Sequence, residues 1–402
     1  MLYEGFLVFK NKNYLNFWIS NLISNSAIWM QNMACAIILT NISSSPTENS
    51  LIQAATTLPL FLFGIISGII GDKYNKYHIL TVIQFVLSFL AISIGIFVYK
   101  QIMNPTILIL MTFLFATMTT LRMSSSQAGI AEVVEPHQIK YAAIMNNLSF
   151  NLCRTLGPFI AGIILALFPT YLVFIISCIL FGLVGFNFLL YKNEEKTILK
   201  TKLPFKDCVK KIVSSHTFRQ NCFDAFIIFF SGTYIWAMLP YIARYKLHMT
   251  AAGQGKLMAI IGIGALLTVI VLPPLVKKTT KNNIIYLCYF LCFASMLGVL
   301  FFIEINYVLT ILFLILFGLG WSMSVAILNG IVQSLFPKEI ATRAISIYLM
   351  CMYFSQFLGS IWSGFLTSYM SIEFSCLSSV TLLFLGFCCR ASVQRGVELL
   401  RP

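Results

Sequence analysis

The amino-acid sequence predicts an all-α membrane protein of about twelve transmembrane helices, arranged as two pseudo-symmetric six-helix bundles. Of the 402 residues, 59% are apolar and only 10% are charged, and the mean hydropathy is +0.88. A soluble protein of this length could not bury so much apolar surface in its core. Most of that surface must therefore lie against lipid.

Charge-free windows place the individual helices. About 20 apolar residues cross a hydrocarbon core of about 30 Å, and the charged residues leave many windows of that length. The window from Thr155 to Tyr191 is too long for one helix, so we predict a turn at Phe168, Pro169 and Thr170. The predicted spans are 14–41, 49–71, 77–99, 104–131, 138–167, 171–191, 218–244, 251–276, 282–303, 306–334, 339–368 and 371–390.

The positive charges predict the orientation. The formal net charge is +14, and the 27 Lys and Arg residues lie mostly in alternate loops. By the predicted topology 21 of them lie on one side, 4 on the other, and only Arg122 and Arg154 lie within spans. The positive-inside rule then predicts a multi-pass protein of a bacterial inner membrane with both termini cytoplasmic. The basic loops attract anionic lipid headgroups, and we do not expect nucleic acid as a partner.

Cysteine and histidine give no sign of a cofactor. The eleven cysteines are odd in number and mostly lie inside apolar windows, while the four histidines lie at loops or span ends. Buried thiols of this kind usually fill space between packed helices. We therefore expect no disulfide framework, no metal and no other cofactor.

An internal repeat divides the chain. Residue types recur at an offset of 201 or 202 residues, in the pairs Pro136 and Pro337, Ala142 and Ala344, Gly157 and Gly359, and Gly162 and Gly364. Between the repeats lies a lysine-rich segment. We predict an N-terminal half (1–191), a basic cytoplasmic linker (192–217) and a C-terminal half (218–402), as expected of a secondary transporter built from parallel repeats.

A short charged turn between the second and third spans adds a family resemblance. Gly68-Ile-Ile-Gly-Asp72-Lys73-Tyr-Asn-Lys76 resembles the G-x-x-x-D-R/K signature of the major facilitator superfamily. Within it, the chain resembles the transmembrane secretion effector group, which includes the enterobactin exporter and macrolide-efflux proteins. The segments that resemble this group are 11–18, 28–32, 147–158 and 239–244. The turn departs from the family at Asn75, where a glycine or aspartate is usual.

This resemblance implies a gating role for the turn, with Gly68, Asp72, Lys73 and Lys76 as its residues. A carboxylate can accept hydrogen bonds from the free N–H groups at the start of another helix. The family pattern implies that Asp72 meets the start of the eleventh span, near Lys338 to Arg343, and locks one state of alternating access. The alternative is that Asp72 and Lys73 flank a solvated loop.

Polar faces inside the spans mark a candidate cargo site. Asn147, Asn151, Arg154 and Pro158 recur at i, i+4, i+7 and i+11 in the fifth span, so they share one helical face. An arginine at this depth costs at least a few kcal/mol unless it is paired or hydrated. We expect Arg154 to face a central cavity, or alternatively to bond a neighbouring helix.

Two other spans repeat this pattern. Asn21, Asn25 and Asn32 share a face of the first span, with Trp29 and Gln31 beside it. Arg122 of the fourth span shares a face with Ser126 and Gly129. We expect these side chains to line the cavity. The alternatives are interhelical polar clamps for the amides and snorkelling to the cytoplasmic edge for Arg122.

Two further features concern mechanism. Gly157, Pro158 and Gly162 resemble the G-P-x-x-x-G element of antiporters, although close helix packing would select the same residues. Asp224, in the seventh span, is the candidate for proton coupling because burial can raise the pKa of a carboxyl group into the working range. The alternative is an interfacial ion pair with Arg219.

These patterns together predict a proton-coupled exporter of an amphipathic small molecule such as a siderophore, working as a monomer among membrane lipids. Two arginines against one acid within the spans favour an anionic or catechol-like cargo. A siderophore importer, a drug efflux pump, a lysophospholipid flippase and a channel are the alternatives. An enzyme is not expected, because no paired acids lie within the spans and the histidines lie at loops or span ends.

Overall fold

Helices make up nearly the whole of the computed structural model, which describes residues 8–73, 75–135, 138–190 and 205–399. The described residues form no strand. After a short 3-10 turn at Val8–Lys10, the helices are α1 (Lys12–Ile42), α2 (Pro46–Lys73), α3 (Lys76–Tyr99), α4 (Pro105–Val133), α5 (Ile139–Leu167), α6 (Leu172–Leu190), α7 (Phe205–Ser214), α8 (His216–Tyr245), α9 (Ala251–Lys278), α10 (Lys281–Phe302), α11 (Tyr307–Leu335), α12 (Lys338–Tyr369) and α13 (Ile372–Leu399).

The long helices match the predicted spans. All but α7 contain between 19 and 32 residues, which at about 1.5 Å per residue suffices to cross a bilayer. Counted over the described residues, eleven are also apolar enough to do so. The twelfth, α2, has side chains at 65 and 68–73 that lie outside the described part. The prediction of an all-α membrane protein with twelve spans is confirmed.

Side-chain caps explain where several helices begin. Asn75 accepts a hydrogen bond from the His78 amide at 3.1 Å before α3, and Asn104 accepts one from Ile107 at 2.9 Å before α4. Asn11, Ser215, Thr280 and Asn306 cap α1, α8, α10 and α11 in the same way. These caps satisfy amides that have no partner within the helix. Each of these capped helices begins within two residues of its predicted first residue.

Two segments test the predicted loops. The turn predicted at residues 168–170 is confirmed, because α5 ends at Leu167 and α6 begins at Leu172.

In the predicted linker, however, residues 205–214 form the helix α7. Cys208 and Ile212 lie one turn apart and are buried against α8 and α12, whereas Lys210 and Lys211 are exposed. The linker is therefore partly an amphipathic helix, and the predicted halves otherwise stay a prediction.

The chain divides into two compact units that exchange short segments. One contains residues 1–43, 62–200 and 248–262, and the other contains 44–61, 201–247 and 263–402. The first unit thus includes the start of α9, and the second includes the start of α2. A Cβ atom added to Gly162 of α5 would lie 2.9 Å from the carbonyl oxygen of Ala251 in α9. Glycine permits this close approach of two helices.

The glycine positions at the helix crossings follow the sequence repeat. A Cβ atom on Gly157 would lie 2.6 Å from Cβ of Trp29, and one on Gly364 would lie 2.6 Å from Cβ of Ser50. In α5, Gly157 packs against Trp29 and Gly162 packs against Ala251. At the equivalent positions of α12, Gly359 packs against Phe230 and Gly364 packs against Ser50. Both halves therefore use the same two glycine positions to pack the same pairs of helices.

Candidate functional site

The polar faces of the first and fourth spans meet inside the first unit. Arg122 of α4 is 6% exposed, and its Nη1 donates to Oδ1 of Asn21 in α1 at 3.0 Å. Its Nη2 donates to Oδ1 of Asn25, one turn further along α1. Ser126, one turn after Arg122, donates to the same Asn21 oxygen at 2.7 Å. Side chains that the sequence indicated on separate helices thus form one buried cluster, the Arg122 cluster.

The two helices are held so that the asparagine oxygens point at the guanidinium. The Asn21 side-chain amide donates to the carbonyl oxygen of Phe17 at 3.2 Å, which leaves Oδ1 for Arg122 and Ser126. Gly129, two turns after Arg122, lies against the Phe17 ring, which a Cβ atom there would approach to 2.9 Å. The backbone geometry of α1 and α4 therefore orients the cluster.

The electrostatics of the Arg122 cluster are unbalanced. The two acceptors of Arg122 are neutral amide oxygens, and among the described residues it forms no ion pair. Its Nε has no hydrogen-bond partner there. Burying a cation costs several kcal/mol unless an opposite charge compensates it. The cluster therefore holds a positive charge, and one free donor, that an anionic ligand could satisfy.

The predicted face of the fifth span is only partly described. Arg154 of α5 is 8% exposed and Asn151 is half-buried, while the Asn147 side chain lies outside the described residues. The neighbouring Cys153 accepts a hydrogen bond from Ser26 of α1 at 3.3 Å. Arg154 is thus buried as predicted, whereas the hydrogen bonds of Arg122 go to α1. The cargo role of both arginines stays a prediction.

Other predicted cavity and motif residues pack helices together. Trp29 lies against Gly157, and its ring makes an edge contact with Phe150 at 5.8 Å. Asn32 is half-buried on the same helix. The carbonyl oxygen of Pro158 would lie 2.6 Å from a Cβ atom on Gly255 of α9. The G-P-x-x-x-G element therefore serves close packing of α5 on α1 and α9, and its link to antiport stays a prediction.

Asp224 lies in a second buried polar cluster, inside the second unit. Its side chain is fully buried in α8 and forms an ion pair with Arg390 of α13. Tyr289 of α10 donates to its other carboxylate oxygen at 3.1 Å. Arg390 also donates to Oδ1 of Asn282 at 2.9 Å and lies over the Tyr286 ring, 5.6 Å from its centroid.

One alternative and one expectation about this cluster were wrong. The ion-pair partner of Asp224 is Arg390 and not Arg219, which is exposed. Arg390 itself, expected among the cytoplasmic charges, is 4% exposed, because α13 continues to Leu399 instead of ending at residue 390. Arg390 is therefore a third buried arginine among the described residues, in addition to Arg122 and Arg154. In the sequence, the one indication that Arg390 is buried is its position at the end of an apolar window.

The first half holds a neutral counterpart of the Asp224 cluster. Asn187 of α6 donates to Ser20 of α1 at 2.7 Å, and Gln84 of α3 bonds Ser24 of α1 at 2.8 Å. Ser20, Gln84 and Asn187 correspond to Asp224, Tyr289 and Arg390 at chain offsets of 204, 205 and 203 residues, close to the repeat offset. Equivalent helices are thus joined by polar side chains in both repeats, and only the second repeat uses charges.

The gating turn lies mostly outside the described side chains. Nothing is described for the side chains of Gly68, Asp72 and Lys73, nor for those of Lys338 and Glu339 at the start of α12. Lys76 is buried at the start of α3. The gating role stays a prediction. Among the described residues, no group of three or more His, Cys, Asp or Glu side chains could hold a metal ion.

Twelve long helices, of which eleven are apolar enough in their described residues to cross a membrane, with polar clusters buried between them, are the architecture expected of a membrane carrier. The chain belongs to the transmembrane secretion effector family, whose model matches residues 4–395. This family is part of the major facilitator superfamily of transporters, as the sequence predicted.

Individual relatives agree with this assignment. The chain is 24% identical over 258 residues to the staphyloferrin A transporter of Staphylococcus aureus, a match that covers 62% of this chain and 64%, less than two thirds, of that protein. It is similar to a solved bacterial homologue of the human lysosomal transporter Spinster, inward-facing and occupied (TM-score 0.77, 12% identity, 95% of this chain and 96% of that one). A D-xylose-proton symporter is also similar (TM-score 0.72, 14% identity, 93% and 97%).

Proposed function

We propose that the protein exports an anionic, amphipathic small molecule, such as a siderophore, in exchange for protons. It acts as a monomer in a bacterial inner membrane, with both termini in the cytoplasm. The observation behind the anionic cargo is the Arg122 cluster, a buried guanidinium whose hydrogen-bond acceptors among the described residues are neutral. A carboxylate or catecholate would supply the missing negative charge and accept from the free Nε.

The similarity to a staphyloferrin A transporter supports a siderophore as cargo. The buried charges support it as well. Arg390 is balanced by Asp224, so the positive charge of Arg122 is not offset by that carboxylate. A cavity with excess positive charge attracts anions and repels cationic drugs. We place the cargo on the Arg122 cluster, with Asn151 and Arg154 of α5 as further contacts.

Alternating access would use the glycine contacts of both repeats. In transporters built from repeats, rigid groups of helices rock about a central site. The α5–α9 and α12–α2 contacts both have a glycine at the point of close approach. We propose that these contacts separate and re-form in each cycle, and that the turn around Asp72 locks the opposite end.

We expect Gly162→Leu and Gly364→Leu each to reduce transport severely. A leucine cannot fit where a single Cβ atom would already approach Ala251 or Ser50 closely. The purified variants should still fold, because each helix can shift outward, but they should favour the state in which these ends are apart. The measurement is transport in vesicles together with cysteine accessibility along α9. Gly330, where a Cβ atom meets nothing within 4 Å, is the control position, and Gly330→Leu should transport normally.

Vesicles of both orientations test the direction and the coupling. In inverted vesicles with an acidic interior, a labelled siderophore should accumulate, and a protonophore should abolish the accumulation. Accumulation in right-side-out vesicles alone would indicate an importer and overturn export. Transport of a lysophospholipid or a cationic drug with no transport of the siderophore would overturn the proposed cargo.

A further inference from the structure

The interface between α8 and α12 brings two cysteines together. The helices pack tightly, since a Cβ atom on Gly359 of α12 would lie 2.9 Å from the carbonyl carbon of Phe230 in α8. Eight residues before each of these positions stand Cys351 and Cys222. The same register, a difference of 129 residues, joins Thr367 to Met238. The two cysteines therefore face each other across a close and regular helix contact.

A hydrogen bond links the two cysteines across the interface. The Cys351 thiol donates to the carbonyl oxygen of Cys222, with a distance of 3.6 Å between Sγ and the oxygen. Both side chains are only half-buried, so a small reagent can reach them. Cysteines that merely fill space between helices need neither this contact nor this exposure.

A buried tyrosine beside the thiols is left without a hydrogen bond. Tyr348, one turn before Cys351 on α12, is fully buried. Its hydroxyl has no hydrogen-bond partner within the described chain. Buried polar groups are nearly always satisfied, and those that are not often mark a site. The hydroxyl therefore gives an independent indication that something polar or charged binds here.

We propose that Cys222 and Cys351 form a two-sulfur binding site for a soft, thiophilic cation. Thiolates are the ligands that soft metal ions prefer. Binding of a divalent ion such as Hg2+ breaks two S–H bonds, forms two S–metal bonds and releases two protons to solvent, with no change of oxidation state. The product is electrically neutral, so it avoids the penalty of a buried charge. The bound ion ties α8 to α12.

Mercuric chloride and a maleimide test the site on the purified full-length chain. After one equivalent of Hg2+, the maleimide should alkylate the other accessible cysteines while Cys222 and Cys351 are protected together, as read by mass spectrometry of the digested protein. The intact protein should retain one mercury. Either Cys222→Ala or Cys351→Ala should remove both the retained mercury and the protection of the remaining thiol. Removing Cys288 and Cys292 together should change neither.

Several results would overturn the site. Equal alkylation of Cys222 and Cys351 with and without Hg2+ is one of them. Protection of Cys351 that survives in Cys222→Ala is another, because it would show a single-thiol reaction. A protein mass lower by two hydrogens, with no mercury retained, would show instead that the two cysteines form a disulfide. Cys222→Ser, which keeps the volume, replaces Cys222→Ala if that variant does not fold.

Discussion

Replacing Arg122 with glutamine should abolish transport of an anionic cargo while leaving the protein as stable as before. The variant loses the buried charge that the cargo is proposed to neutralise. Truncating one partner of a buried charged contact costs about 2–5 kcal/mol, at least about thirtyfold in kcat/KM. Because the described acceptors of Arg122, Asn21 and Asn25, are neutral, removing its charge relieves a desolvation cost rather than breaking an ion pair.

Transport rates and melting temperatures of the same purified variants check this expectation. Arg122→Lys should be intermediate, because it keeps the charge but loses the two-armed contact with α1. Arg219→Gln removes an exposed arginine and serves as the matched control. If Arg122→Gln transports the anionic cargo with an unchanged kcat/KM, the proposed cargo site is wrong.

Replacing Arg390 with glutamine should have the opposite effect and destabilise the protein. The change leaves Asp224 as a fully buried carboxylate without its ion-pair partner. Removing one partner of a buried pair costs about 3–5 kcal/mol. The melting temperature in detergent should therefore fall clearly, and Arg219→Gln should again leave it unchanged.

The double variant Asp224→Asn with Arg390→Gln should regain most of the lost stability. Two neutral side chains can hydrogen-bond in this place, as Ser20 and Asn187 do in the first repeat. A double variant as unstable as Arg390→Gln alone would contradict the ion-pair account. The same variant tests the predicted coupling role of Asp224. If its efflux no longer responds to a pH gradient while exchange of cargo persists, Asp224 couples transport to protons, whereas an unchanged response would leave it as a clamp between helices.

The contrast between Arg122 and Arg390 shows where prediction from the sequence succeeded and where it failed. The spacing of Asn21 and Asn25 and the position of Arg122 identified residues that the structure joins, because residues on one helical face point to the same neighbour. The pair of Asp224 and Arg390 spans 166 residues. No local pattern links positions so far apart, so the sequence suggested the nearby Arg219 instead.

Hydropathy and residue recurrence by themselves determined the twelve spans, the turn after Leu167 and the repeat, since each rests on local composition or on recurrence at a fixed offset. Tertiary structure alone decided which polar side chains meet, and it folded part of the lysine-rich linker into α7 by burying Cys208 and Ile212. It also decided that the starts of α2 and α9 pack with helices of the other repeat. The physical reason is that close packing and buried charge depend on which surfaces approach each other, and helices distant in the chain supply those surfaces.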